Sequence, residues 1–326
     1  LVTEVFGPRV EAGGSVVVLA EEWHTVGSIL ALHKALVRKG WRDRVHLVWN
    51  ANNVFGFDRV PWTEIRKAAV VTTVSRYMKH VMWGQGVNPL VIPNGIPVDR
   101  IRDAHPDLIN ALRAAFSGRE LVFKVGRFSP DKRWIMAIEA LAEEKRRGHR
   151  VATVIRGGLE PHGHEVLERA RATGLEVTDL ALSRDPASAV AELADAPHAD
   201  IYNVTSFMAD EVVCLFYSAA DAVLANSGHE PFGLVGLEVM AAGGVAFLGS
   251  TGEDYGMSYL NSVMLDTDDP LEINVALDKL RDAPTVVQRM RAAARETAHN
   301  FAWQNVVSDI ILSQLQYVAL RQMVLA

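Results

Sequence analysis

A chain of 326 residues, 49% hydrophobic and 22% charged, has the size and balance for two soluble domains that each bury a core, which excludes disorder and fibre. Its 33 Lys and Arg stand against 39 Asp and Glu, a formal charge of -6, so no nucleic-acid partner is expected and an anionic ligand needs a local basic site. The single cysteine, Cys214, excludes a disulfide within the chain and points to a reducing, cytoplasmic compartment.

The chain opens on LVTEVFGPRVEAGG, without Met, and reads as though N-terminal residues were missing. Neither a signal peptide nor a bilayer-spanning run is expected. A first strand is predicted over 15–20, ending in AEEWHT, so Glu21 and His24 stand just past it. A helix follows over 26–39, which His24 either caps or precedes as a chemical group. Residues 33–44, HKALVRKGWRDR, bunch five Lys and Arg with Trp41. A solvated helix end is the plainer reading of that stretch, and weak peripheral contact with anionic lipid the sharper one.

Further strands are predicted over 45–49, 69–74 and 90–92. Pro93, Gly95, Pro97 and Pro106 then interrupt regular structure. Strands resume over 121–125, 151–155, 175–180, 199–204, 221–225, 244–248 and 262–266, with helices over 132–147, 162–173, 209–219 and 233–242. Cys214 falls on the apolar helix 209–219, where it reads as a small buried hydrophobe. This alternation of β-branched runs and helix-period stretches is that of parallel sheets covered by helices, here two doubly wound units. Ligands of such sheets bind beyond the carboxyl ends of the strands.

Two of those ends carry chemistry. Strand 121–125 leads into GRFSPDK, where Arg127 and Lys132 flank a helix start, a receptor for phosphate. Strand 221–225 leads into NSGHEPFGLVGLE, a glycine-bearing loop and a helix whose free N–H groups can face an anion. Glu230 precedes that helix and Glu238 lies inside it, among Leu, Val, Met and Ala, where an unpaired charge is costly. Either ligand hydroxyls or an internal ion pair, for instance with Arg127, stabilises Glu238. Two other patterns are weaker. In DTDDP (266–270) the Asp-x-Asp spacing of some metal sites coincides with an ordinary helix opening, and HGHE (162–165) suits the solvent side of a helix start.

Together VGRFSPDK and SGHEPFGLVGLEVMAAGG, with seven residues between the two glutamates, resemble the donor-binding domain of retaining glycosyltransferases of family 4, the glycogen synthase and sucrose synthase relatives with the GT-B fold. TTVSRYMKHVMWGQGVNPLVIPNGIPVD is similar to that family's entry into the interdomain linker, and FAWQNVVSDIILSQLQ to its C-terminal helix. The resemblance implies two Rossmann-like domains facing a cleft. Residues 1–112 would form an acceptor-side domain, incomplete at its start, with helix 303–326 crossing back onto it. Residues 113–302 would bind the donor.

It further implies that Arg127 and Lys132 neutralise the nucleotide diphosphate, that backbone at Phe232, Gly233 and Leu234 touches the phosphates, and that Glu230 contacts the transferred sugar. Glu238 would hold the ribose, and Asn203, Val204 and Thr205 would lie by the base. The donor would be a nucleoside-diphosphate sugar, UDP-linked first with GDP or ADP behind, and no metal or other cofactor is expected. The sequence does not name the acceptor, whether carbohydrate, lipid or small molecule. Departures matter as well: Glu21 stands where the family carries a His that approaches the reacting sugar, His24 falls at a second, less critical position, and the family's first strand and Gly-rich loop have no counterpart before Ser15. Two rivals follow, a nucleotide-sugar epimerase and a non-catalytic nucleotide-sugar-binding or partner-scaffolding homologue.

Overall fold

The computed structural model describes residues 2–249 and 251–325, the last five of them by backbone alone. Packing divides the chain into two units, one of residues up to Gly95 together with those from Trp303 on, the other Ile96–Ala302.

In the first unit β1 (Val16–Glu21), β2 (Val45–Ala51), β3 (Val70–Thr73) and β4 (Leu90–Val91) form a parallel sheet in the order β1-β2-β3-β4. Burial follows position. Edge strand β1 alternates half-buried and exposed residues, while Val45, Leu47, Val48 and Trp49 of inner β2 are all buried. With it go α1 (Gly7–Glu11), α2 (Val26–Lys39), α3 (Trp62–Ala68) and α4 (Arg76–Trp83). Ser75 caps α4 by accepting the Met78 N–H at 3.1 Å.

Of the five cations in 33–44, two are used internally. Arg42 donates to the carbonyls of Val45 and Ala68, both at 2.8 Å, and Arg44 to that of Gly13 at 3.0 Å. The basic stretch therefore ties its own loops together.

The second unit holds seven parallel strands: β5 (Glu120–Val125), β6 (Val151–Arg156), β7 (Val177–Leu180), β8 (Ile201–Val204), β9 (Ala222–Ala225), β10 (Ala246–Gly249) and β11 (Val263–Leu265), in the order β11-β10-β9-β5-β6-β8-β7. Its helices are α5 (Pro106–Ala115), α6 (Trp134–Arg146), α7 (His162–Ala172), α8 (Pro186–Ala194), α9 (Asp210–Ala219), α10 (Leu234–Ala241), α11 (Leu271–Arg281) and α12 (Pro284–Asn300). Helix α6 packs with α7 and α11, α5 with α8 and α9, and α10 with α12. Residues 96–112 thereby go with this unit, because Leu112 and Phe116 are buried where α5 meets α8 and α9. The short α13 (Trp303–Asn305) and α14 (Leu312–Leu325) return to the first unit.

The order of the seven strands locates the site. From β5 the chain winds outward through β6, β7 and β8, then returns to place β9 on the other side of β5 and continues to β10 and β11. The strands at which winding reverses are β5 and β9, with Val122 opposite Ala222 and Phe123 opposite Val223. A crevice opens beyond the carboxyl ends of two such strands because their connections run in opposite directions.

Candidate functional site

The loops leaving β5 and β9 meet. Gly228 N–H donates to the Asp131 carbonyl at 2.7 Å, and Trp134, buried at the start of α6, donates its indole N–H to the Arg127 carbonyl at 2.7 Å. Between these fixed points the Pro130–Lys132 turn presents Lys132, whose ammonium forms an ion pair with the Glu230 carboxylate and reaches Ser227 Oγ at 3.3 Å. Both side chains are about four-fifths buried, at 21% and 20% exposure, so the pair is screened less than a surface one. Arg133 follows in a left-handed conformation, φ 47°, and pairs with Asp268 at 2.6 Å. Asp268 belongs to DTDDP, and its neighbour Asp269 accepts the Leu271 N–H at 2.9 Å at the start of α11. That segment closes a helix and an ion pair.

Across the crevice Gly233 opens α10 at φ 80°, the left-handed region that favours glycine. It has a steric reason too, since a Cβ there would fall 2.5 Å from Glu253 Cγ. Phe232 is buried against Tyr255 and Phe301, and Leu234 is 42% exposed. The Tyr255 hydroxyl donates to the Gly233 carbonyl. The first-turn N–H groups of α10 precede its first internal acceptor, so they can receive an anion.

Glu238 faces different neighbours. It lines a cavity of about 160 Å³ with Arg100, Asp210, Cys214 and Tyr217, and its carboxylate accepts from the Tyr217 hydroxyl at 3.5 Å. Burial pushes this carboxyl up, while the charge of Arg100 pulls it back down. The ion pair with Arg127 is not formed. Arg127 is exposed, near Glu160, whose carboxyl is held low by backbone N–H groups including that of Phe128, with Arg127 adding to the effect. Lys132 and Glu230 are thus brought together, whereas Arg127 and Glu238 each stand apart from that pair. Cys214, expected as a buried hydrophobe, is half-buried beside Glu238.

At the carboxyl end of β8 the placement is plain. Asn203 is buried and donates its amide to Asp179 at 2.8 Å, Val204 is 1% exposed, and Thr205 is exposed with its hydroxyl directed to the Leu180 carbonyl at 3.3 Å. In the first unit Glu21 accepts from the Asn52 amide at 3.1 Å. His24 sits edge-on to Trp23, and the start of α2 carries no side-chain cap.

The HGHE residues form local pairs, His162 with Glu165 at 2.8 Å and His164 with Glu168 at 3.1 Å. Among the described residues three metal-ligand side chains converge at Glu144, His149 and Asp278, but Arg147 and Arg281 already bind those carboxylates. Two guanidiniums in the cluster repel a cation. A larger cleft, about 710 Å³, opens at the amino ends of β5, β6 and β9. Its arginines are largely spent: Arg291 donates to three carbonyls and Arg119 to Ala199 and Tyr202.

Residues 112–297 match the family described as "Glycosyl transferases group 1". The chain belongs to that family. Within group 1, a 99-residue stretch is 31% identical to the lipopolysaccharide core biosynthesis glycosyltransferase LpsD of Rhizobium meliloti (strain 1021), covering 30% of this chain and 29% of LpsD, so the match spans under a third of that relative. Among solved structures, HepE of Anabaena in complex with UDP superposes with a TM-score of 0.70 at 17% identity, over 96% of this chain and 82% of HepE. Sucrose-phosphate synthase from Thermosynechococcus elongatus gives 0.66 at 17% identity, over 98% and 77%. At such identities the likeness is one of fold, and the expected GT-B architecture of two parallel α/β units stands; the second is doubly wound, whereas the first sheet, β1-β2-β3-β4, winds in one direction.

Around the group 1 motif the structure adds residues that the sequence reading passed over. Lys124, inside β5, is 3% exposed and donates to the Leu224 carbonyl and Asn226 Oδ1 beneath the crevice. Burial pushes its ammonium down to about 7, and the nearby charges of Lys132 and Arg133 act the same way. A lysine inside the apolar run LVFKV is the signal that marks it. Glu253, Tyr255, Arg100 and Tyr217 carry no such signal, for each is recruited from another segment. No helix among the described residues is long and apolar enough to cross a membrane.

Proposed function

We propose that this chain is a retaining glycosyltransferase of family 4 that moves a sugar from a nucleoside-diphosphate donor, UDP-linked first, to an acceptor without a catalytic metal, in a reducing, cytoplasmic compartment. The observation that carries the reading is the Lys132–Glu230 ion pair, set across the two loops at which the sheet reverses its winding. HepE, solved with UDP and with UDP-glucose, supports the choice of donor.

In this reading the pair is a placeholder. Glu230 holds the Lys132 ammonium while the crevice lacks donor. When the diphosphate arrives Lys132 turns to it, and the freed carboxylate takes hydroxyls of the sugar. The bond from the anomeric carbon to the diphosphate oxygen breaks, a bond to the acceptor oxygen forms on the same face, and the acceptor's proton passes to the departing phosphate. Charge grows on that phosphate in the transition state, so Lys132, Arg127 swung inward, and the amides of α10 lower the barrier directly. Glu238 takes the ribose hydroxyls in its cavity. Asn203 and Thr205 contribute to the base site through backbone, since their side chains are engaged. Any weak contact of 33–44 with anionic lipid would rest on Lys34, Arg38 and Lys39.

One observation favours the non-catalytic alternative, the engagement of Glu21 by Asn52 where the family motif carries its sugar-facing His. Thermal denaturation with a panel of nucleoside diphosphates tests the shared first step. UDP at a hundredfold excess over its dissociation constant is expected to stabilise by about 2.7 kcal/mol, a rise of roughly 5–10 °C. If no nucleoside diphosphate raises the midpoint, the donor-site reading fails. Hydrolysis or transfer of the sugar then separates the enzyme from the binding homologue.

A further inference from the structure

After β10 the chain turns beneath the start of α10, and Glu253 lies in that turn, 3% exposed. Its Oε2 accepts from the Thr251 N–H at 3.2 Å, and its Oε1 is buried without a hydrogen-bond partner among the described residues. The Cβ that Gly233 lacks would fall 3.0 Å from Oε1, so this carboxyl occupies the space beside the glycine that opens α10. Thr251 connects it to the donor side. Its Oγ accepts the Glu230 N–H at 2.9 Å, and its own hydrogen has Glu253 Oε2 at 3.4 Å or the Glu230 carbonyl at 3.3 Å as acceptor. A buried carboxylate with a bare oxygen and a second carboxylate in electrostatic reach ionises only at high cost.

We propose that Glu253 is a positioning residue of the donor site that carries a proton while the site works, fixing the Thr251 turn under Glu230 without adding charge where the diphosphate sits. This rests on the donor-site reading above. The groups facing Glu253 are Glu230 with its partner Lys132, the Tyr255 phenol and, around that phenol, Glu238; Asp254 beside it is exposed. Burial pushes the Glu253 carboxyl up to about 8, with the charge of Glu230 adding to the rise. The acid is protonated below that pH and ionised above it. Affinity for a nucleoside diphosphate therefore falls as pH rises through 8, by about tenfold at one unit above the midpoint, because only the protonated fraction binds well.

Calorimetric titration of UDP into wild type and Glu253→Gln at pH 7 and pH 9 tests this, since Gln keeps the shape of the acid without its ionisation. The two proteins are expected to bind alike at pH 7, and the variant about tenfold more tightly at pH 9. Loss of the Lys124 proton, near pH 7, weakens both and cancels in the ratio. A ratio near one at both pH values overturns the role of Glu253 and leaves the donor site standing; so does a variant already weak at pH 7. If UDP binds neither protein at pH 7, the donor-site reading falls and this proposal with it. Should the variant not fold, wild type alone decides: a further loss centred near pH 8, beyond the Lys124 step near pH 7, for UDP and absent for uridine, which lacks phosphates, is the expected result, and a loss confined to the step near pH 7 or shared by uridine overturns it.

Discussion

Lys132→Ala is expected to lower sugar transfer or donor hydrolysis by at least about a hundredfold, on the scale of removing one preorganised donor from a transition-state anion site. The effect is large because the Lys132 side chain is only 21% exposed and, among the described residues, no second cation contacts Glu230 in its place. The loss should fall mainly on kcat, since charge on the leaving phosphate is greatest in the transition state. Lys132→Arg should recover part of the rate, because a guanidinium keeps the charge but not the reach. Glu230 would be left partly buried and unpaired in the alanine variant, so thermal denaturation must accompany the kinetics. A variant with an unchanged midpoint and an unchanged rate would remove Lys132 from the mechanism.

The second large effect concerns stability. Glu144, on α6, is fully buried and accepts from Asn274 at 2.7 Å, Arg281 at 2.9 Å, Arg147 at 3.2 Å and His149 at 2.6 Å. Burial alone would lower the pKa of Arg281, yet its bonds to Glu120, Glu144 and Asp278 raise it overall. Glu144→Ala leaves the Asn274 amide and these cations short of a buried acceptor. Breaking such a pair costs about 3–5 kcal/mol, so the midpoint of thermal unfolding should fall by roughly 6–20 °C. Activity below that midpoint should be unchanged, because Glu144 belongs to the network around the amino ends of the strands. A shift under about 2 °C would mean that the remaining carboxylates, Glu120 and Asp278, hold Arg281 unaided.

Strands are legible because β-branched runs recur between helix-period stretches, and among the described residues each of the predicted runs coincides with a strand of the two sheets. Lys132 and Glu230 were legible for a related reason: each follows a recognisable strand end, and such ends converge in a doubly wound sheet. Their mutual pairing was not, because the sequence does not show that Arg133 turns left-handed and that Asp131 accepts from Gly228. Arg127, five positions earlier, looks equivalent on paper yet is exposed. Glu238 was legible as a problem, an acid in an apolar helix, but its neighbours Arg100 and Asp210 come from segments with no local mark. Glu253 was hidden most fully. Its significance depends on the close approach to Gly233 and on Thr251, contacts that exist only once the turn after β10 meets α10.

The central claim is that the diphosphate binds where the winding of the second sheet reverses. A crystal structure of the protein with UDP tests it most directly. Phosphate oxygens are expected within hydrogen-bonding distance, about 2.7–3.2 Å, of Lys132 Nζ and of amides opening α10, with ribose hydroxyls on Glu238 and the Lys132–Glu230 contact broken. Electron density for UDP at the opposite ends of the strands, in the cleft beside Arg113 and Arg150, with Lys132 still held by Glu230, would contradict it.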